Sequence, residues 1–334
     1  MGPGGTGLRR VRTTAATAAA TAAALLLSSC LLAGCSEGVD LAHSVQTRLG
    51  RVDGVLSADV TAPSDAEAPR IELTVDPDLT AADLVLLLRA VGKVTVRDDY
   101  PSHRLELEPA DEEGDVLVVD DTFAGRDDEL AVLESWQAVT QALLGPVTYT
   151  VEDGTETIAV ASDGGLLHDA TEASRIGYGG AGTTWRFTSG PSAVLVTGRV
   201  AHADVEMLQR VQRSTVSSEL PVAATSWRLE RRRDHVLLAL EVGLPEQVEP
   251  ARLTTERYAE DLRPLARAAL AAVGVGDAPR APDARPVWLQ LRHDTPAGDD
   301  VFGFWVSDHR PVHGRDRLDR HWDRWLVALA GAAG

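Results

Sequence analysis

The sequence predicts an α+β fold in which a helix-strand-strand unit repeats and helices pack on one face of antiparallel sheets. Apolar residues recur at helical spacing in several places, each forming one stripe around a helix axis. Between these stripes lie segments in which apolar and polar residues alternate, as half-buried strands require. Short turns join many of these segments, which favours antiparallel pairing. One-sided alternation indicates that helices cover a single face.

Six segments carry a helical stripe, and a weaker helix is predicted near residues 166–174. Thr80 is the predicted N-cap of the second helix. Asp127 and Asp128 open the third helix, which ends before Gly145-Pro146. The stripes are Leu41, Val45 and Leu49; Leu84, Leu87, Leu88 and Val91; Val132, Leu133, Trp136, Val139 and Leu143; a weaker one over residues 203–213; Tyr258, Leu262, Leu265, Ala266, Ala269, Leu270 and Val273; and Leu318, Trp322, Trp325, Leu326 and Leu329.

The predicted strands occupy the intervals between the helices and group into three modules. The boundaries lie at residues 35–125, 126–200 and 201–334, the last with a C-terminal helix; residues 1–34 are a predicted signal peptide. A Pro/Ala-rich stretch at residues 276–286 is typical of a surface loop. The strand segments are Leu56-Ala58-Val60 with Ile71-Leu73-Val75; Val147-Tyr149-Val151 with Ile158-Val160; Trp185-Phe187 with Val194-Val196; Val236-Leu238-Leu240 with Val287-Leu289-Leu291; and Phe302-Phe304-Val306.

The first 35 residues have the layout of an export signal. Arg9, Arg10 and Arg12 form a basic start, and an Ala/Thr/Leu-rich apolar run over residues 15–27 follows. The run leads into Leu32-Ala33-Gly34-Cys35, with polar residues after it. This segment resembles the lipobox of bacterial lipoproteins.

The resemblance implies that the peptide is cut before Cys35 and that the Cys35 sulfur carries a diacylglyceryl group, with Leu32, Ala33 and Gly34 recognised by the signal peptidase. Two acyl chains give stable membrane attachment. We therefore expect a lipid-anchored protein on the extracytoplasmic face of the cell membrane. Two alternatives are an uncleaved membrane anchor, since the run approaches the ~20 residues that span a bilayer, and lipidation of Cys30. The export route, general secretory or twin-arginine, stays open.

Charge and cysteine content exclude several classes of function for the body. Cleavage would remove three of the 32 basic residues and none of the 50 acidic ones, leaving a net charge of −21. Such a body repels nucleic acid, whose binding depends on cationic side chains. Cys30 and Cys35 are the only cysteines, so the processed body would have no disulfide, thiolate nucleophile or zinc-thiolate site. No cofactor is predicted.

Several motifs have a functional interpretation and a structural one. Gly177, Gly179 and Gly182 spell G-x-G-x-x-G, but the residues after Gly182 have a strand pattern, so a flexible loop is favoured over a phosphate site. The arginines at residues 231–233 lie at a predicted hairpin tip. One interpretation is that they bind an anionic wall polymer or a lipid head group. The favoured interpretation is a solvated turn that blunts a sheet edge.

The acidic runs at residues 111–115 and 120–121 lack the ligand spacing of a calcium-binding loop.

Three histidines in the C-terminal region are weak candidates for a metal site. His309, His313 and His321 lie among aspartates, and imidazole with carboxylate is a zinc-binding combination. Pro311 separates His309 from His313, so the two do not share a helix face. Solvated loop histidines are the favoured interpretation.

The sequence offers no nucleophile elbow and nominates no catalytic triad. Some of the seven tryptophans suggest carbohydrate stacking, and of the adjacent rings Phe304 and Trp305 one must point outward. The hypothesis is a non-enzymatic envelope lipoprotein that binds a partner protein, a wall component or a small ligand. The alternative is an extracytoplasmic hydrolase with a site assembled from dispersed residues.

Overall fold

A computed structural model describes residues 38–64, 68–110, 114–244, 248–275, 285–295, 298–307 and 317–333. The described chain holds seven α-helices and 12 strands of a single mixed sheet. The helices are α1 (38–49), α2 (Ala81–Arg97), α3 (Glu129–Ala142), α4 (Leu166–Ile176), α5 (His202–Thr215), α6 (Thr255–Ala272) and α7 (Arg317–Ala333). The strands are β1 (Val55–Val60), β2 (Arg70–Val75), β3 (Arg104–Pro109), β4 (Val116–Asp120), β5 (Val147–Glu152), β6 (Thr155–Ala161), β7 (Thr183–Ser189), β8 (Ser192–Thr197), β9 (Ala224–Arg231), β10 (Val236–Val242), β11 (Val287–Thr295) and β12 (Gly298–Val306).

The strands lie in the sheet in the same order as in the chain, from β1 to β12. Within each helix-strand-strand unit the two strands are antiparallel. Between units the neighbouring strands are parallel. A helix joins each parallel pair, because the chain must cross over the sheet to start the next strand in the same direction.

The expectation of antiparallel sheets is therefore only half right. The segments Val236-Leu238-Leu240 and Val287-Leu289-Leu291 are sheet neighbours, but they run parallel with α6 between them. The α+β mixture and the repeat of helix, strand and strand are confirmed. Strands from residues 35–125, 126–200 and 201–334 all join one sheet, with β4 beside β5 and β8 beside β9.

One face of the sheet lies under the helices and holds the core. Alternate side chains of each strand, such as Leu107, Tyr149, Trp185 and Leu289, are fully buried there. Successive helices from α2 to α7 contact one another along this layer. The opposite face, called here the open face, carries the intervening side chains, most of which are partly or fully exposed.

Local signals in the sequence fix several element ends. Thr80 caps α2: its Oγ1 accepts from the backbone N–H of Asp83 at 3.2 Å, and the Asp83 carboxylate accepts from the Thr80 N–H at 3.0 Å. The helix α3 ends at Ala142, before Gly145-Pro146. Asp128 occupies the N-cap position of α3, but its carboxylate accepts from Arg126 at 2.9 and 2.8 Å instead of capping the helix.

A bulge near the start of β1 changes which side chains face the core. The pairing shifts between Val55 and Ser57, and Leu56 is consequently 60% exposed. Leu56 was expected on the same buried face as Ala58 and Val60. The bulge inserts one residue and turns Leu56 outward.

Candidate functional site

The open face changes character along the sheet. Threonines dominate its middle, at positions 148, 150, 157, 184, 188 and 197 of β5 to β8. Toward β12 it carries arginines and apolar side chains. Because helices cover the other face, the open face is the broad surface that this architecture leaves free for a ligand.

A concavity with a volume of about 810 Å³ lies on this face over β7 to β11. Arg186, Arg228 and Arg292 line it, together with Glu241 and several small or apolar side chains. The other lining residues are Pro191, Ala193, Leu195, Thr225, Ser226, Trp227 and Ala239. Three guanidinium groups and one carboxylate leave the lining with a formal charge of +2, in a chain whose net charge is −18.

Glu230 holds two arginines at the rim of the concavity. The Glu230 side chain is 3% exposed although it belongs to the open face. Its Oε1 pairs with Nε of Arg228, and its Oε2 lies 2.6 Å from Nε of Arg232. Each of these arginine side chains is about half exposed. Glu230 therefore fixes both guanidinium groups while leaving them open to solvent.

Arg186 is exposed on β7, and no hydrogen bond or ion pair engages its guanidinium among the residues that the structure describes. A guanidinium binds carboxylate or phosphate through two parallel hydrogen bonds. Arg186 is therefore available for an anionic ligand.

Aromatic rings continue the open face beyond the concavity. Trp288 stacks on His235, with centroids 3.9 Å apart and an interplanar angle of 13°, and meets Phe304 edge-on at 6.0 Å. Trp305 points into the core, so the outward ring of the Phe304-Trp305 pair is Phe304. One face of Trp288 is covered by His235, so at most the opposite face is free for stacking on a sugar.

A second, smaller cavity of about 310 Å³ lies between β11, β12 and α7. His293, Asp300 and Trp322 line it, and His293 is the register partner of Asp300. The Nε2 atom of His293 lies 3.1 Å from the carbonyl oxygen of Val248. An imidazole beside a carboxylate is a general acid–base combination.

The G-x-G-x-x-G segment follows α4 and precedes β7, the reverse of the strand-to-helix order that cradles phosphate. Gly177 ends α4 with a φ of 66°, and the guanidinium of Arg199 occupies the space that a Cβ on Gly177 would need. The segment is thus a packed loop beside Arg199.

This loop belongs to a hydrogen-bond network. Tyr149 donates to Tyr178 Oη at 2.8 Å, and Tyr178 donates to the Glu156 carboxylate at 2.9 Å. Thr183 also donates to Glu156, at 2.8 Å. Burial raises the pKa of both tyrosines, and their mutual hydrogen bond raises that of Tyr149 further. The tyrosines therefore stay protonated at neutral pH and act as donors rather than bases.

The three consecutive arginines at the β9–β10 turn make specific contacts. Arg231 lies 2.8 Å from the Asp204 carboxylate and donates to the carbonyl of Thr197 at 2.9 Å. Arg232 pairs with Glu230, and Arg233 donates to the carbonyl of Ala181. Arg232 and Arg233 are exposed, as in a solvated turn, but the contacts of the three arginines also tie the turn to neighbouring segments. The turn blunts no sheet edge, because β9 and β10 lie inside the sheet.

The remaining predicted site residues fall mostly outside the described chain. Leu32, Ala33, Gly34, Cys35, Cys30, His309 and His313 lie there, while His321 is a half-buried residue of α7. Within the described ranges, no group of three or more His, Cys, Asp or Glu side chains is arranged to hold a metal ion. Across the same ranges, no helix combines the length and apolarity that crossing a bilayer requires.

The fold and the site together define a two-layer protein with one sheet, one helical layer and an arginine-lined open face. Comparisons with protein-family models, curated proteins and solved structures found no match.

The lining arginines were not predicted from the sequence, although a signal exists. Arg186, Arg228 and Arg292 each stand between two buried side chains of a strand, as in Trp185-Arg186-Phe187. Alternation places such an arginine on the face opposite the core. Which arginines share one concavity depends on the order of the strands.

Proposed function

We propose that this chain is a membrane-anchored lipoprotein of the cell envelope whose body is a binding module, with the open face as its binding surface. The observation that carries this proposal is the concavity over β7 to β11, with three arginines along a face that the helices leave uncovered. The concavity is open to solvent, and its described lining contains neither histidine nor cysteine. These features favour capture of a ligand over catalysis.

The proposed anchor rests on the lipobox-like residues Leu32 to Cys35. The described body begins at residue 38, three residues after Cys35. An extended chain spans ~3.5 Å per residue, so a lipid on Cys35 would hold the first residue of α1 within ~10 Å of the bilayer surface. The partners of this protein are then the lipid bilayer, through Cys35, and an envelope protein, wall component or small ligand at the open face.

The anchor is tested by mass spectrometry of the protein purified from membranes. We expect an N-terminal Cys35 carrying a diacylglyceryl group, and a Cys35→Ser variant that leaves the membrane fraction. An unmodified thiol at Cys35, or an intact leader, contradicts the proposal. Lipid found on Cys30 instead would show that the alternative site is used, five residues before Cys35.

The binding surface is tested by photo-crosslinking on intact cells. A photoreactive amino acid is placed at Ser226, which lines the concavity, or at Arg267, which is exposed on α6 in the helical layer. We expect crosslinked products from position 226 and few from position 267. Equal yields at the two positions, or products from position 267 alone, overturn the open face as the binding surface.

The second cavity favours a second candidate function, a hydrolase in which His293 activates water beside Asp300. Its described lining holds no Ser, Thr or Cys nucleophile, so this mechanism depends on water. Turnover of ester or glycosidic substrates that His293→Gln abolishes, with the fold intact, supports it. Turnover unaffected by His293→Gln rules it out.

A further inference from the structure

We propose that the open face binds a linear polyanion, a chain with a phosphate or carboxylate group on each repeat, along the diagonal formed by Arg186, Arg228 and Arg292. This inference rests on the proposed binding function and names its ligand class. It is carried by strand register, by charge and by the exposure of the Arg186 and Arg228 guanidinium groups.

Strand register places the three arginines on one diagonal of the open face. Arg186 pairs with Leu195, and Leu195 pairs with Glu230, so Arg228 lies two strands across and two residues along from Arg186. Arg228 pairs with Ala239, which pairs with Gln290. Arg292 is therefore displaced from Arg228 by the same step in the same direction.

The step has a definite length. Two strand spacings of ~4.8 Å and two residues of ~3.4 Å give about 12 Å between successive Cα atoms. The diagonal therefore extends over about 24 Å, longer than a single small anion but suited to several repeats of an extended polymer. A regular row of cations matches a ligand with regularly spaced anions.

Charge complementarity selects the polyanion. The lining is positive by two formal charges, whereas the whole chain is negative by 18. An anionic polymer is repelled by most of the body and attracted to the diagonal, so the charge pattern fixes where the chain lies. Duplex nucleic acid is disfavoured, because its broad charged surface would also face the acidic regions.

The guanidinium groups differ in how they are held. Arg186 has no described partner, whereas the Nε atom of Arg228 is held by Glu230 and the Arg228 side chain is half exposed. Ala193, Leu195 and Ala239 line the floor between them. Their small or apolar side chains leave room for the polymer backbone while the arginines hold its anionic groups.

The test uses the full-chain protein, purified in mild detergent, with fluorescently labelled short-chain polyphosphate and a labelled oligouronate as probes. We expect at least one probe to bind, with affinity that falls as salt rises. Binding of polyphosphate alone assigns phosphate as the recognised group, and binding of the uronate alone assigns carboxylate. Binding of neither probe at low salt overturns the inference.

Variants locate the binding. We expect Arg186→Ala to weaken binding about tenfold and to flatten the salt dependence by about 0.7 in log–log slope. Arg267→Ala removes the same charge from α6 and serves as the matched control. Arg186→Lys keeps the charge and is expected to recover part of the affinity. Equal losses in Arg186→Ala and Arg267→Ala, with thermal unfolding unchanged, contradict the diagonal.

The outcome is separable from that of the proposed function. Crosslinking from position 226 without binding of either polymer leaves the open face as a binding surface and overturns the polyanion as its ligand. Failure of both experiments overturns both proposals.

Discussion

Tyr178 donates its hydroxyl to Glu156 with Oη 2.9 Å from each carboxylate oxygen. Tyr149 in turn donates to Tyr178 at 2.8 Å. The chain of donors links β5, β6 and the loop after α4, next to the parallel junction of β6 with β7. A polar network therefore reinforces a place where two units meet.

The two tyrosines are expected to contribute unequally to stability. Tyr178→Phe leaves the buried Tyr149 hydroxyl without its acceptor and removes a donor from Glu156, so we expect a loss of about 1–3 kcal/mol in the free energy of unfolding. Tyr149→Phe removes one donor and strands no buried group, so we expect about 1 kcal/mol. Guanidinium denaturation of both variants measures the difference. Equal losses would show that the order of donors is wrong.

Stability is expected to fall in alkaline solution. The pKa values of Tyr149 and Tyr178 are raised, first by burial. The folded protein therefore keeps protons that the unfolded chain releases above its ordinary tyrosine pKa of about 10. By linkage, stability holds below that pH and declines as pH rises above it. Denaturation at a series of pH values should show this decline, and Tyr149→Phe should make it shallower.

Two glycine substitutions are expected to act in opposite directions. A Cβ on Gly145 would lie 2.8 Å from the carbonyl carbon of Ala161 and closer still to its oxygen. We expect Gly145→Ala to cost about 2 kcal/mol in unfolding free energy. Gly92 lies inside α2, and beyond the adjoining backbone of that helix no atom lies within 4 Å of its would-be Cβ. Gly92→Ala should therefore stabilise by up to about 1 kcal/mol. Thermal unfolding of the two variants tests the pair, and destabilisation by both would refute the second expectation.

Removing the charge of Glu230 is expected to separate stability from binding. Glu230→Gln leaves Arg228 and Arg232 without their shared carboxylate. Because Glu230 is buried while both arginine side chains are half exposed, we expect a cost of about 1–2 kcal/mol. The concavity also becomes more positive, so the labelled polyanion should bind several-fold more tightly. Glu260→Gln makes the same charge change on the exposed side of α6. Weaker polyanion binding in Glu230→Gln would indicate that the placement of Arg228 matters more than net charge.

The helices and the repeat of units follow from local pattern. The apolar stripe of Leu84, Leu87, Leu88 and Val91 and the Thr80 cap suffice to place α2. The parallel joins between units could not be read from the alternation, because a half-buried strand alternates in the same way in either orientation. They depend on which strands become neighbours once a helix has crossed the sheet.

The concavity was harder to predict than the fold. Arg186, Arg228 and Arg292 are far apart in sequence, and only the strand order and register bring them onto one diagonal. The consecutive arginines 231–233 gave the stronger sequence signal, yet Arg231 and Arg233 bind backbone carbonyls of neighbouring segments. A run of consecutive arginines therefore indicates the concavity less well here than single arginines at alternate positions of strands.

The strands have the same order in the sheet as in the chain, and this order affects how the protein folds. Each strand finds its pairing partners in the segments immediately before and after it, so folding can propagate from one end without a late, distant closure. A chain synthesised from its N-terminus would always present the next strand to a finished edge. Vectorial growth of this kind limits the time during which apolar strands stay exposed to aggregation.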